Sequence, residues 1–164
     1  MKGDLASRAA LREAALAVVA HLHGLRVNRL QLEPPASGHE LLDALRYGLD
    51  YDRIDLEQQF VAALKRAEVA LAGDVALEHY LGLGPGQGDG EAEKIATAIV
   101  ERLSGSPRQQ RALRAFLRAR LLDLLELPAN RAMIEELAVQ LEGCGALDRD
   151  QFMLVVLRAV KLPL

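Results

Sequence analysis

The run from Gly82 to Gly90 is the segment of this 164-residue sequence that most invites a chemical role, because it contains five glycines. A phosphate-binding loop needs Gly-x-x-x-x-Gly-Lys-Ser/Thr after a strand, so that successive N–H groups surround the phosphates. Here three residues separate the last glycine from Lys94, and a predicted helix precedes the run. The carboxylates of Asp89, Glu91 and Glu93 would also repel a triphosphate. We therefore predict a loop and no ATP site.

Other candidate ligands are scattered. Asp148-Arg149-Asp150 lacks the third acidic residue, the central glycine and the final glutamate of a calcium loop, so Asp148 is predicted to cap a helix. Cys144 is the single cysteine, which excludes an intrachain disulfide and a CxxC metal site and is typical of a reducing cytoplasmic setting. The four histidines have no common ligand spacing, and none is predicted to bind a metal: His21, His23, His39 and His79.

Arginines follow one face of the segment 107–126, opposite a row of leucines. A nucleic-acid-binding helix would have this pattern. However, no stacking aromatic residues accompany the arginines, and the chain carries a net charge of −3. We therefore predict a solvated, salt-bridged face and no nucleic-acid partner.

The composition determines the kind of fold that must position these residues. Hydrophobic residues make up 51% of the chain and aromatic residues 4%, so the core is expected to be aliphatic. Alanine and leucine are the best helix formers, which predicts a mainly α fold: a single helical domain over residues 1–164 with a small β element. No apolar run approaches the roughly 20 residues of a membrane span, so we expect no membrane partner and a cytoplasmic protein.

Caps and hydrophobic periodicity give approximate element boundaries. The only strand candidate covers residues 25–33, needs a bulge near Asn28 and ends at Pro34. Gly73, inside the longest helix, suggests a close approach of another backbone. Asp4 is predicted to cap the first helix and Gly24 to end it, and residues 143–145 form a turn. Helices are predicted at about 4–23, 40–47, 56–80, 91–104, 107–126, 128–142 and 148–160.

Several short motifs occur in a fixed order along most of the chain. The first helix reads Arg-Glu-Ala-Ala-Leu-Ala-Val-Val-Ala from Arg12 to Ala20, and a strand that ends in a proline follows. Leu71–Glu78 fits Leu-Ala-Gly-x-x-Ala-x-Glu, and Ala92–Thr97 ends in Ala-Thr. This series resembles the peptidase domain of FtsH-type ATP-dependent zinc metallopeptidases, whose metal helix reads His-Glu-Ala-Gly-His-Ala-Val-Val-Ala. The end of the chain, near Ile134–Leu147, is also similar. The resemblance implies that family's fold.

The residues that would carry zinc chemistry in that family are replaced here. Arg12 and Leu16 correspond to its two histidines and Ala92 to its aspartate ligand, and none of the three side chains has a lone pair to give. Glu13 remains at the general-base position, where it is vestigial without a metal-bound water. We therefore expect no zinc and no other cofactor. A buried Arg12 needs an acidic partner, and three carboxylates are candidates: Asp89, Glu91 and Glu93.

The resemblance with these replacements favours a catalytically inactive, pseudopeptidase-like protein that acts as a binding or assembly module. Its partner would be a protein, a peptide or a second copy, held along the edge of the 25–33 strand, where Arg26 and Arg29 favour acidic sequences. Leu16 is expected to form an apolar contact. Without that family's ATPase module, ATP-driven unfolding by this chain is not expected. One alternative is a metallopeptidase or other hydrolase with an unorthodox site around Glu13, Asp89 and Glu91. Another is an unrelated helical protein-interaction module.

Overall fold

The computed structural model describes residues 6–32, 56–85 and 90–160 of the chain. In these ranges the fold is mainly helical, with a small two-stranded antiparallel sheet, as the composition predicts. The predicted helix at 40–47 lies outside the described residues. The elements, in chain order, are α1 (Arg8–Leu22), β1 (Arg29–Gln31), α2 (Leu56–Leu81), α3 (Glu91–Leu103), α4 (Pro107–Glu126), α5 (Pro128–Cys144), β2 (Ala146–Asp148) and α6 (Arg149–Val160).

The first helix begins later than the sequence predicted. Its N-cap is Ser7, whose hydroxyl accepts a hydrogen bond from the Ala10 N–H at 3.2 Å. A serine in this position satisfies one of the amides that has no partner within the helix. Asp4, the predicted cap, lies outside the described residues. Gly24 follows the helix with a φ of 78°, so the predicted left-handed stop is confirmed.

The end of α5 corrects a predicted turn. Gly143 and Cys144 continue the helix, and Gly145, with a φ of 75°, is the residue that ends it. The Gly145 N–H donates to the Leu141 carbonyl at 2.8 Å. Because only Gly145 of these residues adopts the left-handed conformation, the turn is one residue long and β2 starts directly after it.

The sheet joins two distant parts of the chain. β1 pairs with β2 in antiparallel register, with Leu30 opposite Leu147, and the Leu32 N–H extends the ladder by donating to the Gly145 carbonyl at 2.9 Å. The predicted strand over 25–33 is therefore too long. Leu25 and Val27 precede the ladder, so no bulge is required to reconcile their parity with that of Leu30.

α1 is the centre of the core. It packs against α2 on one side and α5 on the other, and β1 lies beside it. Small side chains allow these helices to approach closely, and α1 is buried on nearly all sides. Its buried residues are Ala10, Leu11, Ala14, Ala15, Ala17, Val18, Val19 and Ala20. None of the helices in the described ranges is both long and apolar enough to cross a membrane.

Candidate functional site

The contact between α1 and α2 is closest at Arg12 and Gly73. A Cβ atom added to Gly73 would lie 2.4 Å from the Arg12 Cγ and 3.1 Å from the Arg12 carbonyl oxygen. Real Cβ atoms do not tolerate the first distance, so any larger residue at position 73 would force the Arg12 side chain or α1 itself to move. The close backbone approach that Gly73 suggested is confirmed, and the residue that makes it is the first of the motif on α1.

Arg12 forms an ion pair with Asp74, the neighbour of that glycine. The Arg12 Nε lies 3.4 Å from the Asp74 Oδ1, with 28% of the arginine side chain and 12% of the aspartate side chain exposed. Asp74 was not among the predicted partners. Of those, Glu91 forms an exposed pair with Lys94 at 2.8 Å, Glu93 is exposed, and Asp89 lies outside the described residues. A fixed cation therefore occupies the α1–α2 contact, next to a half-buried carboxylate.

The other residues of the motif have different surroundings. Glu13 is half-buried. Leu16, one turn after Arg12, packs against the core but is only partly buried, so the predicted apolar contact is present and smaller than that of a core leucine. Ala92 is buried in the first turn of α3, which packs on α2.

A cluster of ionisable groups around a buried glutamate, which the sequence reasoning missed, lies elsewhere on α2, where the end of α1 and α4 contact it. Glu68 on α2 is 1% exposed, and its Oε1 lies 2.7 Å from the Arg120 Nε on α4. Its other carboxylate oxygen lies 2.6 Å from the His23 Nε2, a contact that lacks the alignment of a hydrogen bond. The sequence held a signal, because Glu68 is the only charged residue in the apolar run Ala67–Gly73, and the structure buries all of these residues.

Three arginines of α4 contact neighbouring helices in this way. Arg118 pairs with Glu78 on α2, as Arg120 does with Glu68, and Arg114 donates to the Thr97 hydroxyl at 3.3 Å. The predicted salt bridges are therefore confirmed for Arg118 and Arg120, and all three arginines connect α4 to its neighbours. Arginine suits this use because its charge is permanent and its fork of donors is rigid.

Two further contacts link the ends of the helices. The Ser7 N–H donates to the Glu142 carboxylate at 2.8 Å, and hydrogen bonding by Ser7, first through its side chain and then through its backbone, lowers the pKa of Glu142. The Tyr80 hydroxyl donates to the Leu125 carbonyl at 2.8 Å. Burial raises the pKa of Tyr80 to about 12, against the opposing effect of nearby Arg131.

The histidines of the described ranges are spread over separate contacts. His21 meets the ring of Phe152 edge-on at 5.6 Å, His79 lies beside Tyr80, and His23 belongs to the Glu68 cluster. Among residues 6–32, 56–85 and 90–160, no three His, Cys, Asp or Glu side chains come together as a metal site would require. The charged groups that the structure shows at the α1–α2 contact near Gly73 are the Arg12–Asp74 ion pair.

Comparisons with known proteins add no relative to this description. No protein-family model matches the chain, and no curated protein matches it significantly.

Proposed function

We propose that this chain is a non-catalytic relative of the FtsH-type peptidase domain and that it works by holding a protein or peptide partner. The observation that carries the proposal is the environment of Arg12. This residue stands where the family's metal helix has its first histidine, and its Cβ and Cγ lie against Gly73 while its guanidinium faces Asp74. A permanent cation with no lone pair cannot be a zinc ligand, and it would oppose a divalent ion.

The partner-binding surface is the outer edge of β1. In an antiparallel ladder, hydrogen-bonded pairs alternate with non-hydrogen-bonded pairs. Since the Leu32 N–H faces β2, the Leu30 amide faces β2 as well, whereas Arg29 and Gln31 direct their N–H and C=O groups outward. Within the described ranges the sheet has only these two strands. Such an edge pairs with an added strand through main-chain hydrogen bonds.

The chemistry of the edge favours an acidic, extended segment. Arg29 is exposed on β1 itself, and Arg26 is exposed just before it. Leu30 points into the core, so the edge is supported by buried side chains beneath it. The place of β1 beside α1 also agrees with the family resemblance, in which a strand follows the metal helix and runs next to it.

The register allows a test directed at main-chain pairing. Gln31→Pro removes an outward N–H and leaves the ladder to β2 in place, because proline is tolerated where the N–H of an edge strand faces solvent. Gln31→Ala is the matched control, since it changes the side chain and keeps the N–H. Leu30→Pro is unsuitable, because that amide belongs to the ladder. Peptide binding is tested with a library of unstructured peptides, and self-association is measured by analytical ultracentrifugation of the chain alone.

We expect Gln31→Ala to keep the parent's affinity for the selected peptides and its self-association. Gln31→Pro should weaken either affinity at least about tenfold, while the circular dichroism spectra of both variants stay the same as the parent's. N-methylation of alternate residues in a selected peptide should abolish its binding. Equal binding by the proline and alanine variants would show that the edge is not the surface. Zinc-dependent cleavage of a peptide that is lost in Glu13→Gln would refute the non-catalytic assignment and support a hydrolase.

A further inference from the structure

An apolar groove of about 420 Å³ lies between α2 and α4, on elements that the β1 edge does not involve. Two exposed aromatic residues are part of its lining: Phe60, which is 41% exposed, and Phe116, which is 48% exposed. The Arg120 guanidinium lies over the Phe116 ring, 5.7 Å from its centroid, and is itself held by Glu68. The remaining lining residues are Leu103, Ser104, Gln109, Ala112 and Leu113.

The groove has the dimensions of a helix-binding site. Its lining on α4 runs from Gln109 to Phe116, two turns of helix, which span about 10 Å. A partner helix with apolar residues at i, i+4 and i+7 presents anchors over the same length. Aromatic residues, including phenylalanine, are enriched in protein–protein interfaces relative to the rest of the surface.

The charge around the groove selects the partner. Of the five arginines of α4, Arg114, Arg118 and Arg120 contact neighbouring helices, whereas Arg108 and Arg111 belong to its first two turns, which contain no acidic residue. Arg108 and Arg111 are exposed next to lining residues of the groove, on the first turns of the helix. A second copy of the chain would bring this basic segment against its own equivalent, which opposes association. An acidic helix would instead meet complementary charge.

From these observations we propose that the groove between α2 and α4 binds an amphipathic helix of a partner protein, with an apolar face flanked by acidic residues. The apolar anchors would contact Phe60 and Phe116, and the acidic flank would face Arg108 and Arg111. This inference does not rest on the proposed function, because it concerns another surface and another form of peptide. A failure of one leaves the other standing.

The test is a phage-displayed library of 18-residue helices with a fixed leucine face and flanking positions that are randomised among Glu, Gln and Lys. We expect selection on the full chain to enrich Glu in the flanks. Fluorescence anisotropy of an enriched peptide should show binding that weakens as salt rises. Phe116→Gln should weaken that binding at least tenfold, and the Arg108→Glu/Arg111→Glu variant should transfer the preference to Lys-flanked peptides. Leu154→Gln, at an equally exposed leucine on α6, is the control and should change nothing.

Several outcomes would overturn the proposal. Peptides enriched without a charge preference, or binding that Phe116→Gln does not weaken, would exclude the acidic helix. A dimer seen by sedimentation and abolished by Phe116→Gln would assign the groove to a second copy. If peptides bind only after residues 33–55 are deleted, the groove would be assigned to that segment of the same chain and not to a partner protein. Circular dichroism of each variant, compared with the parent, verifies that the helices are intact.

Discussion

The substitution Gly73→Ala tests the α1–α2 contact on which the candidate site depends. Alanine in a helix interior is favoured over glycine by about 1 kcal/mol, so a helix free of neighbours would gain stability. Here the new methyl group would lie 2.4 Å from the Arg12 Cγ, close to the backbone of α1, with the Arg12 carbonyl oxygen behind it at 3.1 Å. Overpacking of this kind costs roughly 1–3 kcal/mol. We therefore expect a net loss of up to about 2 kcal/mol in the free energy of unfolding.

Gly143→Ala is the matched control. Gly143 is also helical, its φ is not positive, and no heavy atom lies within 4 Å of the added Cβ. This variant should gain up to about 1 kcal/mol, so the two alanines differ in sign. Urea denaturation followed by circular dichroism at 222 nm measures both, since the chain contains no tryptophan for fluorescence.

A double-mutant cycle locates the clash. In an Arg12→Ala background the offending Cγ is absent, and Gly73→Ala should lose most of its destabilising effect, with a coupling of about 1 kcal/mol or more. If Gly73→Ala instead stabilises the chain as Gly143→Ala does, α1 does not contact α2 at Arg12. The site argued from that contact would then be incorrect.

The remaining predictions concern burial and charge. The Glu68 carboxylate is buried, so Arg120→Ala, which removes its cationic partner, should destabilise the chain by roughly 3 kcal/mol. Glu135→Ala, at an exposed pair, should change the free energy of unfolding by less than about 1 kcal/mol. Because Leu16 is only partly buried, Leu16→Ala should lower the free energy of unfolding by about 1–2 kcal/mol, less than Leu137→Ala at a fully buried position. Equal denaturant midpoints for these two variants would contradict this difference in burial. The pKa of Tyr80 is raised above that of the unfolded chain, so its contribution is present below pH 10 and declines as the pH rises towards 12. The difference in alkaline absorbance between the parent and Tyr80→Phe should show a tyrosine that ionises near pH 12; ionisation near pH 10 would exclude the buried hydroxyl.

The sequence alone determined the helical class and most helix boundaries. These depend on local properties: the alanine- and leucine-rich composition, the apolar periodicity, and caps such as Ser106 before Pro107, whose hydroxyl accepts from the Gln109 N–H. The range 107–126 agrees with α4, and Gly24 ends α1 as predicted. Gly73 also marked a close contact correctly, because a glycine inside a long helix is unfavourable unless something needs its space.

Tertiary structure decided which residues meet. β2 has no strand signature of its own and exists because Leu147 pairs with Leu30 across more than a hundred residues. Asp74 rather than Glu91 or Glu93 is the partner that the described structure gives Arg12, since helix packing sets the distance and sequence spacing does not. The Glu68 cluster is the strongest example. Its three members lie on different helices or at their ends, and only the packing of α1 and α4 against α2 removes the carboxylate from water and brings His23 and Arg120 to it.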